Sequence, residues 1–146
     1  MATFEQHVTI DAPMDKVWAM MSNPQTWAQW FPDVDSISGL SAVEPGTTFE
    51  WQDGDKHGSG SIVDVDTARG LIKVVTSLDE HQTTHTFDLD RTGGLFGMGG
   101  NDTKLLYRRE YKAAGSVFGE FIAGGNIADT LDVKNTLNKI KRLAQG

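Results

Sequence analysis

Between Val34 and Lys112 the sequence alternates apolar and polar residues with a period close to two, in runs separated by turn residues. No other feature restricts the fold as much. A period of two puts one side of a segment in a core and the other in water, which is a strand of a half-covered sheet. Breaks fall at Glu44-Pro45-Gly46, Asp53-Gly54-Asp55, Ala68-Arg69-Gly70, Asp79-Glu80-His81 and within residues 93–102. They predict strands at about 34–43, 47–53, 56–66, 71–79, 82–90 and 103–112. Connections this short join antiparallel neighbours, so these strands form a meander.

The flanks read differently. TFEQHVTI (3–10) also alternates, with Phe4, Gln6, Val8 and Ile10 on one face and Thr3, Glu5, His7 and Thr9 on the other. Asp11 is placed to cap a helix whose first turn suits Pro13, and Val17, Trp18 and Met21 share its face. Asn23-Pro24 breaks it, and PQTWAQWF (24–31) reads as a second short helix carrying Trp27, Trp30 and Phe31 inward. After Gly115 the period becomes helical: Val117, Phe118, Phe121 and Ile122 are followed by Ile127, Leu131, Val133, Leu137, Ile140 and Leu143. Gly124-Gly125 interrupts this pattern, and Lys139, Lys141 and Arg142 suit the negative end of a helix dipole. Only this last helix is long enough to cover the apolar face of the sheet. The expected fold is therefore α+β. It runs strand, two short helices, a six-stranded antiparallel meander and a long C-terminal helix packed across the curved sheet, as a single domain over residues 1–146. Such a sheet can hold a cavity between itself and the helix.

Charge narrows the partners. Thirteen Lys and Arg against twenty Asp and Glu leave −7 over 146 residues, which argues against nucleic acid and against an anionic membrane surface. The absence of cysteine excludes disulfides and thiolate chemistry. MATFEQHVTI lacks the basic and apolar regions of a signal peptide, and no apolar run approaches the ~18–20 residues of a membrane span. A cytoplasmic protein is expected. His81 and His85 are four residues apart in a predicted strand, ~13 Å along it, too far to share an ion. Neither metal nor cofactor is expected.

VTIDAPMDKVWAMMSNPQTWAQWFPDV (8–34) resembles the opening of the START-like helix-grip superfamily (SRPBCC), in its polyketide cyclase/dehydrase branch. The positions carrying the likeness are Ala12, Pro13, Val17, Trp18, Trp27, Trp30 and Pro32, and TLNKIKRLAQ (136–145) resembles the closing helix of that family. The likeness covers essentially the whole chain. It implies a helix-grip fold with a hydrophobic pocket between sheet and helix, used for lipids, hormones, polyketides or other apolar molecules. Some members are cyclases or aromatases and many only bind. No family-wide catalytic motif transfers to particular residues here.

GGLFGMGGND (93–102) is glycine-rich but is followed by TKLLYRREYK, which alternates as a strand. A phosphate loop needs a helix N-terminus after it, so nucleotide binding is disfavoured. The segment reads as a hairpin connection, with an adaptable flap for a protein partner through Leu95, Phe96 and Met98 as the sharper alternative. GSGS (58–61) sits at a strand start and reads as a turn rather than a nucleophile elbow.

Alternation also selects candidate pocket residues. Phe49 and Trp51 share a face, as do His85, Phe87 and Leu89, and as do Leu105, Tyr107, Arg109 and Tyr111. If these faces meet the last helix, the pocket is lined by Phe49, Trp51, His85, Phe87, Tyr107 and Arg109, with Phe118, Phe121 and Ile122 from the helix. Apolar walls with a few oriented polar groups are the usual make-up of a ligand site. His85, Tyr107 and Arg109 are the candidate catalytic groups, as acid, base and oxyanion donors. The bland alternatives are a satisfied core histidine, a structural tyrosine and an arginine paired with an acid. Trp18, Trp27 and Trp30 are read as core. His57 and His81 lie in turns at the sheet end where, in the family, loops border the pocket mouth, and are read as rim. Three functions stay open: binding of a small hydrophobic or aromatic molecule, a cyclase/dehydratase-type enzyme, and a protein-interaction module with a collapsed cavity.

Overall fold

The computed structural model describes residues 2–32, 34–78, 81–91, 102–112 and 133–145. Its sheet has seven strands: β1 (Ala2–Ile10), β2 (Ser36–Ser38), β3 (Thr48–Asp53), β4 (Lys56–Asp66), β5 (Leu71–Leu78), β6 (His81–Arg91) and β7 (Thr103–Lys112). The order is β1-β7-β6-β5-β4-β3-β2, antiparallel at every pairing described. The meander thus runs in chain order from β2 to β7, and the first strand docks on the last. Two short helices, α1 (Met14–Met21) and α2 (Trp27–Trp30), follow β1, and residues 133–145 form the described part of the C-terminal helix, α3. This is the α+β helix-grip architecture expected, with α3 packed across the sheet.

Period two translates directly into burial. Phe4 and Ile10 on β1, Phe49 on β3, Ile62 on β4, Ile72 and Val74 on β5, Phe87 and Leu89 on β6, and Leu105 and Tyr107 on β7 all enter one core. Helix α3 contributes Val133, Leu137, Ile140 and Ala144, spaced as one helical face. Each such side chain is worth roughly 1.5–3 kcal/mol of transfer free energy when fully buried. The far end of α3 is tied to the first turn of the chain: the Asp11 amide donates to Gln145 Oε1 at 2.7 Å. At the same sheet end Thr103 Oγ1 donates to the Ala12 carbonyl at 2.8 Å.

The tryptophans are core, as expected for Trp27 and Trp30, both wholly buried; Trp18 is half-buried. Their polar ends are satisfied locally. Trp27 Nε1 donates to the Met21 carbonyl at 2.8 Å, and Trp30 Nε1 donates to Thr26 Oγ1 at 3.1 Å. Asn23 caps the 3₁₀ turn Pro24–Thr26 by accepting from the Gln25 amide.

Three local expectations change. The strand expected over 34–43 shrinks to Ser36–Ser38, because Gly39 turns the chain out of the ladder at φ 82°. Leu40, Ala42 and Val43 then pack half-buried without pairing, so their apolarity mimicked strand alternation. Asp11 does not cap α1. The N-cap is Pro13, which has no side-chain cap bond to offer. GSGS is not a turn but part of β4, where Gly58 and Gly60 face Trp51 and Phe49 of β3. A Cβ on Gly58 would meet the Trp51 ring at 2.6 Å and also the Ser77 carbonyl, and one on Gly60 would run into the Phe49 ring. These glycines form a flat bed for two aromatic rings.

Candidate functional site

Strands β6 and β7 lay their inward side chains side by side: His85 is registered with Arg109, Phe87 with Tyr107, and Leu89 with Leu105. The polar members are almost wholly covered, with His85 at 4%, Tyr107 at 0% and Arg109 at 1% exposure. Polar groups this deep need partners, and they form a chain. Arg109 Nε donates to Tyr107 Oη at 3.0 Å, and Tyr107 Oη lies 2.6 Å from His85 Nδ1. His85 Nε2 lies 3.0 Å from Thr76 Oγ1 on β5. Arg109 Nη1 donates to Tyr111 Oη at 3.1 Å.

Donor and acceptor counting orients the protons. A guanidinium only donates, so Tyr107 Oη accepts from Arg109 and passes its own proton toward His85 Nδ1. The ring proton of His85 then sits on Nε2 and is donated to Thr76, a tautomer assigned from the bonding pattern. Burial pushes the His85 pKa well below its ordinary 6.5, and the Arg109 charge pushes the same way. At neutral pH the imidazole is uncharged. The guanidinium also lies 5.6 Å from the centroid of the Tyr107 ring. Each bond in such a chain polarises the next, so Arg109 strengthens the Tyr107 hydroxyl as a donor. The group can orient, or exchange a proton with, an oxygen brought against it.

An aromatic wall stands next to this chain. Phe87 stacks on Tyr107 at 4.5 Å between centroids, and Phe31 sits 5.1 Å from the His85 ring. Trp30 meets Phe87 edge-on at 5.2 Å, and Phe49 meets Trp27 and Phe31 at 6.0 and 6.1 Å. Helix α2 therefore delivers Trp30 and Phe31 onto Phe49 and Phe87, so those two rings pack against other rings at their α2 side.

The expected residues divide. His85, Phe87, Tyr107 and Arg109 come together on the inner face, and Phe49 joins them through Phe31. Trp51 lies further along β3, half-buried, with Nε1 donating to the Ser59 carbonyl at 3.0 Å. His57 is registered with Gln52 on the opposite face of the sheet. There it borders a shallow hollow of about 470 Å³ with Ser36, Glu50 and Ser77. His81 is exposed at the start of β6, on the His85 face. Phe118, Phe121, Ile122, Leu95, Phe96 and Met98 lie outside the described residues. Thr76 and Tyr111 belong to the polar chain but are not among the site residues that the sequence selects. Tyr111 is within reach of alternation, since it shares the parity of Tyr107 and Arg109. Thr76 requires the β5–β6 register.

Among the described residues no group of three or more His, Asp or Glu side chains could hold a metal ion. No helix among them is long and apolar enough to cross a membrane.

The family model for polyketide cyclase / dehydrase and lipid transport proteins matches residues 1–145. No protein of curated function matches the sequence. Among solved structures, the Zhui aromatase/cyclase of Streptomyces sp. R1128 is 18% identical, with a TM-score of 0.71 over 99% of this chain and 93% of that one. TTHA0849 of Thermus thermophilus is 12% identical, with a TM-score of 0.73 over 98% and 97%. Norcoclaurine synthase of Thalictrum flavum, in complex with dopamine and hydroxybenzaldehyde, is 16% identical, with a TM-score of 0.71 over 97% and 85%.

Proposed function

We propose that this chain, which belongs to the polyketide cyclase / dehydrase and lipid transport family, binds a small apolar or aromatic molecule between the sheet and the C-terminal helix. One observation carries the reading: a chain of hydrogen-bonding groups, buried at His85, Tyr107 and Arg109 and half-buried at its ends Thr76 and Tyr111, runs through a face otherwise made of aromatic and aliphatic side chains. Burying the Arg109 guanidinium costs a core transfer free energy, whereas a ligand site uses such a group to orient its guest. The guest that fits is lipid- or polyketide-like, with an oxygen able to accept from a tyrosine hydroxyl. The names of the structural neighbours agree, since one is an aromatase/cyclase and another holds two aromatic molecules.

The same chain favours a second reading, an enzyme of cyclase or dehydratase type. There the Tyr107 hydroxyl would turn its one proton from His85 Nδ1 to a carbonyl or leaving hydroxyl, and the tyrosinate left behind would be held by the Arg109 guanidinium.

Backbone amide NMR shifts during titration with polycyclic phenols and fatty acids test the first reading. Saturable shifts at Thr76, His85, Tyr107 and Tyr111 are expected. No saturable shift with any compound, or shifts confined to residues 93–101, would overturn it. Incubation with a poly-β-ketone thioester separates the readings: a product that has lost water, absent with Tyr107→Phe although that variant still binds, makes the chain an enzyme.

A further inference from the structure

The sheet ends in two unequal edges. β2 is three residues long and offers little to a stray strand. β1 is nine residues long and pairs with β7 continuously from Ala2 to Ile10, with no bulge and no proline. Its outward side chains are Thr3, Glu5, His7 and Thr9, and no lysine lies on it. Edge strands of proteins that remain single are usually shortened, bulged or armed with lysine or proline. Among the described residues β1 carries none of these and has no strand on its outer side.

We infer that β1 is a docking edge for a second copy of this chain, pairing antiparallel with its own counterpart about a twofold axis at Gln6. The pattern of β1 matches itself in that register. Glu5 stands opposite the partner copy's His7, Thr3 opposite Thr9, and on the inner face Phe4 stands opposite Val8. Thr–Thr and aromatic–β-branched pairs of this kind are among those that stabilise adjacent strands, and the His7 ring N–H is placed to donate to Glu5 across the axis. The neighbouring β7 residues extend the match. Arg108 lies beside Glu5, to which it donates at 2.8 Å, and Lys104 and Glu110 are registered with Thr9 and Thr3. The outer face near this edge therefore carries two cations, Lys104 and Arg108, against two anions, Glu5 and Glu110. It is locally neutral although the whole chain is at −7. These opposite charges limit repulsion between copies at this edge, and no like charges meet across the axis. The isologous pairing closes on itself, so it stops at a dimer with one continuous sheet.

Sedimentation velocity of the full chain tests this, with folding checked by circular dichroism. The wild type is expected to shift from monomer to dimer mass as concentration rises. His7→Glu sets a new carboxylate opposite Glu5 on both sides of the axis and is expected to weaken the dimer at least about tenfold. The double variant Glu5→Lys, His7→Lys puts lysines opposite lysines and is expected to do the same. Mixing the two variants restores dimer mass, because each glutamate then meets a lysine. A wild type that stays monomeric at millimolar concentration would overturn the inference. A dimer indifferent to both variants, or variants that fail to pair on mixing, would do so equally.

Discussion

Tyr107→Phe removes one oxygen and leaves the ring. In the folded protein that oxygen receives Arg109 Nε at 3.0 Å and faces His85 Nδ1 at 2.6 Å. The ring keeps its stack on Phe87, 4.5 Å between centroids and 10° from parallel. The hydrophobic contribution of the site is therefore nearly unchanged, and the loss falls on the two groups the hydroxyl served. A buried polar group left without its partner costs about 1–3 kcal/mol, with a charged one at the upper end or beyond. Orphaning a neutral ring nitrogen and one guanidinium N–H together comes to roughly 3–5 kcal/mol. For a domain of this size 1 kcal/mol moves Tm by about 2–4 °C, so a fall of roughly 10 °C is expected. Urea unfolding followed by tryptophan fluorescence measures it well, because Trp27 and Trp30 are wholly buried. A second variant makes the reasoning refutable. His85→Phe replaces the imidazole by an apolar ring, and in the double variant with Tyr107→Phe that nitrogen no longer exists to be orphaned. The double variant should thus be more stable than the sum of the singles predicts, by about 1 kcal/mol or more. A single-variant loss below about 1 kcal/mol, or strict additivity, would show that Tyr107 does not hold the chain together.

Protonation gives another handle. Because burial and Arg109 keep the folded His85 pKa well below 6.5, the unfolded chain takes up a proton that the folded chain refuses. This contribution is fully present above pH 6.5 and is lost as pH falls toward the folded pKa, at about 1.4 kcal/mol per unit within that window. Urea stability compared at pH 7.5 and pH 5.5 should fall in the wild type, and the His85-dependent part of the fall should vanish in His85→Gln. Gly58→Ala drives a methyl into the Trp51 ring and the Ser77 carbonyl, so a loss of roughly 1–3 kcal/mol is expected in the same unfolding assay, together with an altered emission from Trp51.

How much of this was readable in the chain depends on whether a feature is local. The strands β3 to β7 follow from alternation because each buries one face, and the parity that set His85, Tyr107 and Arg109 inward held along β6 and β7. Registers between strands are not local. They decide that Thr76 reaches His85 and that His57 turns to the opposite face from Phe49. The 34–43 segment misled because apolar residues capping a core edge alternate as strand residues do, while one left-handed glycine ends the pairing. GSGS misled in the opposite sense. Small residues signal turns by composition, yet here each inward glycine is required by an aromatic ring on the next strand, a fact held in β3 rather than β4.

The pairing of β1 with β7 has a consequence in time. β1 leaves the ribosome well before the strand it needs: its ion pair Glu5–Arg108 spans 103 residues, and the Asp11–Gln145 bond spans 134. The meander from β2 to β7 can zip from one hairpin to the next, whereas β1 must wait with Phe4, Val8 and Ile10 uncovered. Loop closure over that length must be met before any contact repays it, so docking of the first strand is expected to come late and to set the folding rate. Until β7 is made, β1 is an unpaired strand with a bare apolar face looking for an edge, the kind of species that chaperones bind and that aggregates capture.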